Sequence, residues 1–217
     1  MKYFCPKCAI LTLEGGVYNI NIILRRPPMD VKLMIQSTPN PNALKFVLNK
    51  PVKTEGNFTY KTIDACEGNP LARAIFETHP SVKEVYFFDN YITVTQDGSG
   101  DWDELEDAIK KTILDLIKDH DPHFKTPTPK ADAPKAAQST PEVDQINAIL
   151  DQTVRPALQM DGGDIQVIEY QNNLLKVHYQ GACGSCPSST MGTLQAIQNI
   201  LKNEFNPDIS VELAEAA

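Results

Sequence analysis

The segment from Asp121 to Pro141 constrains the fold most, because it carries five prolines among Ala, Lys and Thr and shows no apolar periodicity. Too little apolar surface is available there to offset the entropy of ordering the backbone, so it reads as a linker. As a Gly/Ser-like coil, about 17 linker residues span roughly 20–25 Å, and proline stretches that further. Cutting a 217-residue chain at this point leaves two pieces, each long enough for a modest core of its own. The expected organisation is an extension over residues 1–28, a domain over 29–121, the Pro-rich linker over 122–141 and a second domain over 142–217. The halves are expected to move fairly independently.

Within the first domain, Lys32-Leu-Met-Ile35 and Leu44-Lys-Phe-Val-Leu48 flank Thr38-Pro-Asn-Pro-Asn42. Pro fixes and Asn tolerates the angles of a turn, so two paired strands are predicted. Asn69-Pro70 is a cap followed by a proline suited to the first helical position, and a short helix runs on to Glu77. Val82–Phe88 and Tyr91–Thr95 read as a hairpin about Asp89-Asn90. Asp101 then opens a helix that repeats Leu105, Ala108, Ile109, Ile113, Leu116 and Ile117 on one face.

The second domain starts with a helical stripe of Val143, Ile146, Ile149, Leu150, Val154 and Leu158, which Pro156 should kink or break. Asp161-Gly-Gly-Asp164 stops that helix. Strands follow at Ile165–Tyr170 and Leu174–Tyr179 about Gln171-Asn-Asn173. A helix carrying Leu194, Ile197, Ile200, Leu201 and Phe205 inward and a last strand from Ile209 to Leu213 complete the pattern. The fold class is α+β or α/β: two small domains, each a sheet packed by helices, the second in the order α-β-β-α-β.

Cys183 and Cys186 lie between the second hairpin and the last helix, in Gly181-Ala-Cys-Gly-Ser-Cys-Pro-Ser-Ser189. Small residues let a bulky inorganic group or another protein approach the backbone. Ser188 or Ser189 can cap the helix, and its unpaired amides favour thiolate at Cys186. Incidental cysteines are disfavoured, since an exposed Gly-rich loop is a poor place to bury thiols. A redox dithiol suits the helix start, yet it belongs in a βαβ unit rather than after a hairpin. Metal ligation is favoured. Two ligands are half of a four-thiolate site. The other half comes either from a second copy of the chain, which would give one [4Fe–4S] cluster at a dimer interface, or from Cys5-Pro-Lys-Cys8, which would close a zinc site.

Arg155-Pro-Ala-Leu-Gln-Met-Asp-Gly-Gly-Asp-Ile165, followed by the cysteine loop, Thr190 and Thr193-Leu194, resembles the NifU-like (Nfu) scaffold domain across roughly residues 142–213. Residues 31–124 resemble the Nfu amino-terminal domain through Ser37-Thr-Pro-Asn-Pro-Asn-Ala-Leu-Lys-Phe46, Pro70-Leu-Ala-Arg-Ala-Ile-Phe76, the tract Phe87–Thr95 and Asp101-Trp102. The resemblance implies an iron–sulfur carrier, not an enzyme. It would receive a [4Fe–4S] cluster from an upstream donor, hold it as a homodimer on Cys183 and Cys186, and pass it to client apoproteins. The extension with Cys5 and Cys8 departs from the family pattern and reads as a mis-called start ahead of Met29.

The remaining candidates weigh less. Cys66 reads as a small buried side chain. One of His178 and Tyr179, alternating on a strand, should face the core, and His79, His120 and His123 share no spacing and read as solvated. Asp161 and Asp164 fit a turn and cap better than a hard-metal site, and Trp102 fits an apolar anchor. No nucleophile triad, P-loop or dinucleotide signature occurs. The net charge of -8 disfavours nucleic acid as a partner. No apolar run approaches the ~20 residues of a membrane span. Five cysteines, four of them in CxxC pairs, suggest a reducing compartment, the cytoplasm for choice, with an organellar location compatible.

Overall fold

The computed structural model describes residues 30–125, 137–186 and 189–214, without the side chains of 189–191. Cys5, Cys8, Met29, much of the Pro-rich linker and the serines expected to cap the last helix lie outside the described residues or side chains.

Leu33–Ser37 (β1) and Ala43–Leu48 (β2) pair antiparallel across the Pro-Asn-Pro-Asn turn. Side chains close that turn: the Asn42 amide donates to Asn40 Oδ1 (3.0 Å), and Thr38 Oγ1 donates to the Ala43 carbonyl (3.0 Å). A strand that the sequence pattern did not announce, Lys53–Tyr60 (β3), forms one edge of the sheet. Its sequence, Lys-Thr-Glu-Gly-Asn-Phe-Thr-Tyr, is mostly polar and carries a bulge around Gly56, whose φ is +63°. Edge strands tolerate such composition because one side of the ladder faces no neighbour.

The Pro70–Thr78 helix (α1) begins as predicted, with Asn69 Oδ1 accepting from the Ala72 amide (3.0 Å). Val82–Asp89 (β4) and Tyr91–Gln96 (β5) form the hairpin, with Asp89 at φ +42°. Asp101 caps Trp102–Leu116 (α2) by accepting from the Asp103 amide (3.0 Å). The antiparallel sheet runs β1-β2-β5-β4-β3. One face builds a core of Phe46, Leu48, Val85, Phe87, Ile92 and Val94 with Leu71, Ile75, Ile109 and Ile113 from the two helices.

Cys66 is sealed in that core, where burial pushes its thiol up to about 11. Trp102 is the expected anchor: it packs against the core and donates from Nε1 to the Pro41 carbonyl (2.9 Å). His120 is a correction. Its ring is half-buried rather than solvated, stacked on Phe87 with Nε2 2.7 Å from the Val52 carbonyl, because it closes the end of the core beside Phe124.

In the second domain the first stripe is broken where Pro156 requires it, into Pro141–Thr153 (α3) and Arg155–Met160 (α4). Gly163–Gln171 (β6) and Leu174–Gly181 (β7) pair antiparallel across Asn172 and Asn173, both with positive φ (51° and 62°), as a two-residue hairpin demands. Ser189–Glu204 (α5) crosses back and Ser210–Leu213 (β8) joins β7 in parallel, giving a mixed sheet of order β6-β7-β8. Val143, Ile146, Leu150, Leu175, Val177, Ile197 and Leu201 fill its core. Among the described residues no helix is long and apolar enough to cross a membrane.

The two domains are not independent in this structure. Residues 31–217 form one compact unit, and the helix-free face of the five-stranded sheet packs against β7 and the Asp-Gly-Gly-Asp turn.

Candidate metal centre

The cysteine loop leaves β7 as a succession of tight turns. The Ala182 amide donates to the Gly162 carbonyl (3.2 Å), Gly184 to Gly181 (3.0 Å) and Cys186 to Cys183 (3.4 Å). These bonds fold the backbone so that both cysteines sit within one turn immediately ahead of α5. Three glycines make the path possible. Gly162 and Gly181 have φ of +82° and +61°, and Gly163 has no side chain where a Cβ would stand 2.5 Å from Cys183 Sγ. The Asp-Gly-Gly-Asp motif is therefore a helix stop and also the floor on which Cys183 rests.

Arg155 and Asp164 hold that floor in place. Arg155 donates from Nε to the Ile165 carbonyl (3.2 Å) and from its terminal nitrogens to Asn147 and Asp151, tying α3, α4 and β6 together. Asp164 is buried; its carboxylate accepts from the Ile165 amide (2.7 Å) and from Asn57 of the first domain (3.1 Å), and lies 3.6 Å from Arg155 Nε. Burial raises its pKa, and these partners pull it back in part. Asp164 thus serves the turn, as expected, and Asp161 is the C-cap residue of α4.

The thiols themselves are a correction to the expected exposure. Cys183 and Cys186 are 5% and 3% exposed, whereas Gly184 and Ser185 between them are exposed. Cys183 counts among the core residues of its own domain. The first domain also grips the loop. Asn40 donates from Nδ2 to the Ala182 carbonyl (2.9 Å) and to Ser185 Oγ (3.1 Å). Thr93 Oγ1 donates to the Gly162 carbonyl (2.7 Å). Lys45 Nζ donates to the Gln159 and Met160 carbonyls (2.9 and 3.2 Å) at the negative end of α4. Tyr86 is wholly buried, and a Cβ on Gly181 would meet its ring at 2.9 Å.

None of Asn40, Lys45, Glu84, Tyr86 or Thr93 announces a role in the sequence. Asn40 reads as a turn residue, and on an antiparallel sheet the alternation of the other four with apolar neighbours reads as an ordinary solvated face. Of the histidines, His178 lies half-buried on the opposite side of β7 from Tyr179, which faces the core, and burial lowers its pKa. Among the described residues no three of His, Cys, Asp and Glu converge on a metal position.

Glu84 on β4 makes the contact between domains sensitive to pH. Burial pushes its carboxyl up to about 7, although Lys61 and the Gly181 amide act in the other direction. A carboxyl raised above its unfolded value stabilises the packed form at low pH, and that contribution is lost as pH rises through about 7. The melting temperature should accordingly fall between about pH 5 and pH 7 and level off above that, and Glu84→Gln should flatten the fall. A Glu84→Gln profile parallel to the wild type would remove Glu84 as the cause.

Comparison with known proteins identifies both domains. Residues 33–120 match the family described as scaffold protein Nfu/NifU N terminal, and residues 146–212 match the NifU-like domain. The human NFU1 iron-sulfur cluster scaffold homolog, mitochondrial, is 36% identical over 171 residues, covering 78% of this chain and 66% of that protein. NifU-like protein 4, mitochondrial, of Arabidopsis thaliana is 32% identical over 184 residues, covering 83% of this chain and 65% of its own length. The chain spans 57% of the length of the Drosophila virilis relative. A solution structure of a NifU-like protein from Saccharomyces cerevisiae aligns with 49% of this chain and 92% of its own at 20% identity, with a TM-score of 0.39. Both domains match in family order, and the chain belongs to the Nfu family, its cysteine loop lying within the NifU-like domain.

Proposed function

We propose that this protein is an iron–sulfur scaffold or carrier whose cargo is a [4Fe–4S] cluster bridged between two protomers by Cys183 and Cys186 of each. One observation carries the reading: the loop supplies two thiols at the start of α5, and no further ligand converges on them among the described residues. A four-thiolate cluster then needs two loops, and a two-fold axis supplies the second without any new residue. Relatives named as iron-sulfur cluster scaffold homologues support an iron–sulfur cluster as the cargo. Their names also place them in mitochondria, so an organellar site of action fits this chain alongside the cytoplasm.

The chain carries out no bond-making catalysis on an organic substrate. Transfer proceeds by ligand exchange: a client thiolate forms a bond to iron as one bond to Cys183 or Cys186 breaks, and the released thiolate takes up a proton. Repetition moves the cluster to the client apoprotein, and the reverse sequence loads the scaffold from an upstream donor. Anaerobic reconstitution with iron and sulfide tests the reading. About four irons and four sulfides per dimer are expected, with the mass of a dimer on loading. A monomer that retains only zinc, or a chain that cycles between dithiol and disulfide and binds no iron, overturns it.

A further inference from the structure

The face of the five-stranded sheet turned toward the cysteine loop is unusual for a buried surface. Register pairing lays three rows across it: Ala43, Thr95 and Glu84; Lys45, Thr93, Tyr86 and Thr59; Val47, Tyr91, Phe88 and Asn57. An antiparallel sheet with helices on one face ordinarily leaves so polar an opposite face to solvent. Here Tyr86, Tyr91, Thr93 and Thr95 are all buried.

The facing surfaces are poorly satisfied as well. Among the described residues seven buried side-chain oxygens lack a partner of good hydrogen-bond geometry, the Tyr86 and Tyr91 hydroxyls meeting only each other and the Glu84 carboxyl lying against the Gly181 amide. All but that of Tyr179 belong to these two surfaces: Thr59, Glu84, Tyr86, Tyr91 and Thr95 on the sheet, and Gln180 on β7. Permanent interfaces pair their polar groups, because an orphaned buried donor or acceptor is costly. A polar face buried behind so few bonds of good geometry is suited to separating and being rewetted. The specific bonds that do hold it are few, and they converge on the cysteine loop and the turn beneath it: Asn40 on Ala182 and Ser185, Thr93 on Gly162, Lys45 on the end of α4.

We propose that the amino-terminal domain is a reversible cover over the cysteine loop, so that the closed chain is a resting form and loading requires the domain to lift away. This rests on the reading of Cys183 and Cys186 as ligands shared by two protomers. Sharing brings a second loop within a cluster's width of the first, while in the closed form Asn40 and Tyr86 occupy the loop's flank and both thiols are buried. Closure and loading therefore compete, and by linkage anything that binds the polar sheet face favours the open loop. A partner that docks on this face would thereby open the loop at the moment of transfer.

The test needs no iron, so its failure is separable from failure of the carrier reading. The reduced apo full chain is pulsed with iodoacetamide, and alkylation is read at each cysteine by mass spectrometry. Cys66, buried in the amino-terminal core, reports whether that domain stays folded. In the wild type Cys183 and Cys186 should label at least about tenfold more slowly than in the same chain unfolded in urea, as buried groups do. Thr93→Lys, which places a charge in the closed junction and in water once it opens, should speed both by about tenfold while Cys66 stays protected. Asn40→Ala deletes two hydrogen bonds without adding bulk and should speed both by about threefold or more. If Thr93→Lys also exposes Cys66, it reports unfolding and Asn40→Ala decides. Wild-type thiols that label at the unfolded rate, or an Asn40→Ala chain that labels no faster than wild type, overturn the cover.

Discussion

Replacing Cys183 or Cys186 by Ser should abolish cluster binding, with iron retained after anaerobic reconstitution falling at least about tenfold. The effect is large because symmetry doubles it: each substitution removes two of four ligands from the shared site. A serine hydroxyl remains protonated at neutral pH and offers hard oxygen where soft iron–sulfur chemistry wants thiolate. The fold should survive, since Cys→Ser changes one atom; a cost of about 1–2 kcal/mol is expected at these buried positions. Iron content and circular dichroism, measured on the same sample, separate the two effects. Cys5→Ser and Cys8→Ser should leave loading unchanged. If that amino-terminal pair proves essential, the assignment of ligands to the loop alone is wrong.

Gly163→Ala should damage stability and loading together. Its Cβ would stand 2.5 Å from Cys183 Sγ, 2.7 Å from the Gln180 carbonyl oxygen and 2.9 Å from the Cys183 amide nitrogen. Two of those neighbours are backbone, so no side-chain rotation relieves the clash, and the β6–β7 ladder itself must shift. A loss of about 2–3 kcal/mol is expected, in the range of overpacked sites, with cluster occupancy reduced several-fold because Cys183 moves with the strand. Gly184→Ala is the matched control. It lies in the same loop, has no positive φ, and its Cβ would come no closer than 3.3 Å to any neighbour, the Tyr179 carbonyl. Denaturant melts of the two variants should differ by most of the effect. Equal melts would mean that the Asp-Gly-Gly-Asp turn does not position Cys183.

The elements legible in the sequence are those whose signals are local. Asn69 and Asp101 cap helices through their own next turns, Pro156 breaks a helix by lacking its own amide, and Asn172-Asn173 closes a hairpin between adjacent strands. Strand β3 was not legible because its polar, Gly-bearing sequence is held by β4, which lies beyond α1 in the chain. His120 was misread for a related reason: its cover is Phe87, more than thirty residues earlier.

The same division runs through the site. The cysteine pair, its small-residue loop, the helix that follows it and the Nfu resemblance are all properties of consecutive residues, so the sequence by itself determined them. The resemblance also ran through Ser37–Phe46, with no reason given for its residues. The tertiary structure supplied the reason, because Asn40 and Lys45 of that motif reach the Ala182 carbonyl and the end of α4 in the other domain. Whether a polar sheet face meets water or a second domain depends on contacts between residues 69 to 142 positions apart, and no local pattern encodes them. For the same reason a loop that composition assigns to the surface has its two thiols buried, at 5% and 3% exposure, with the first domain bonded to its backbone.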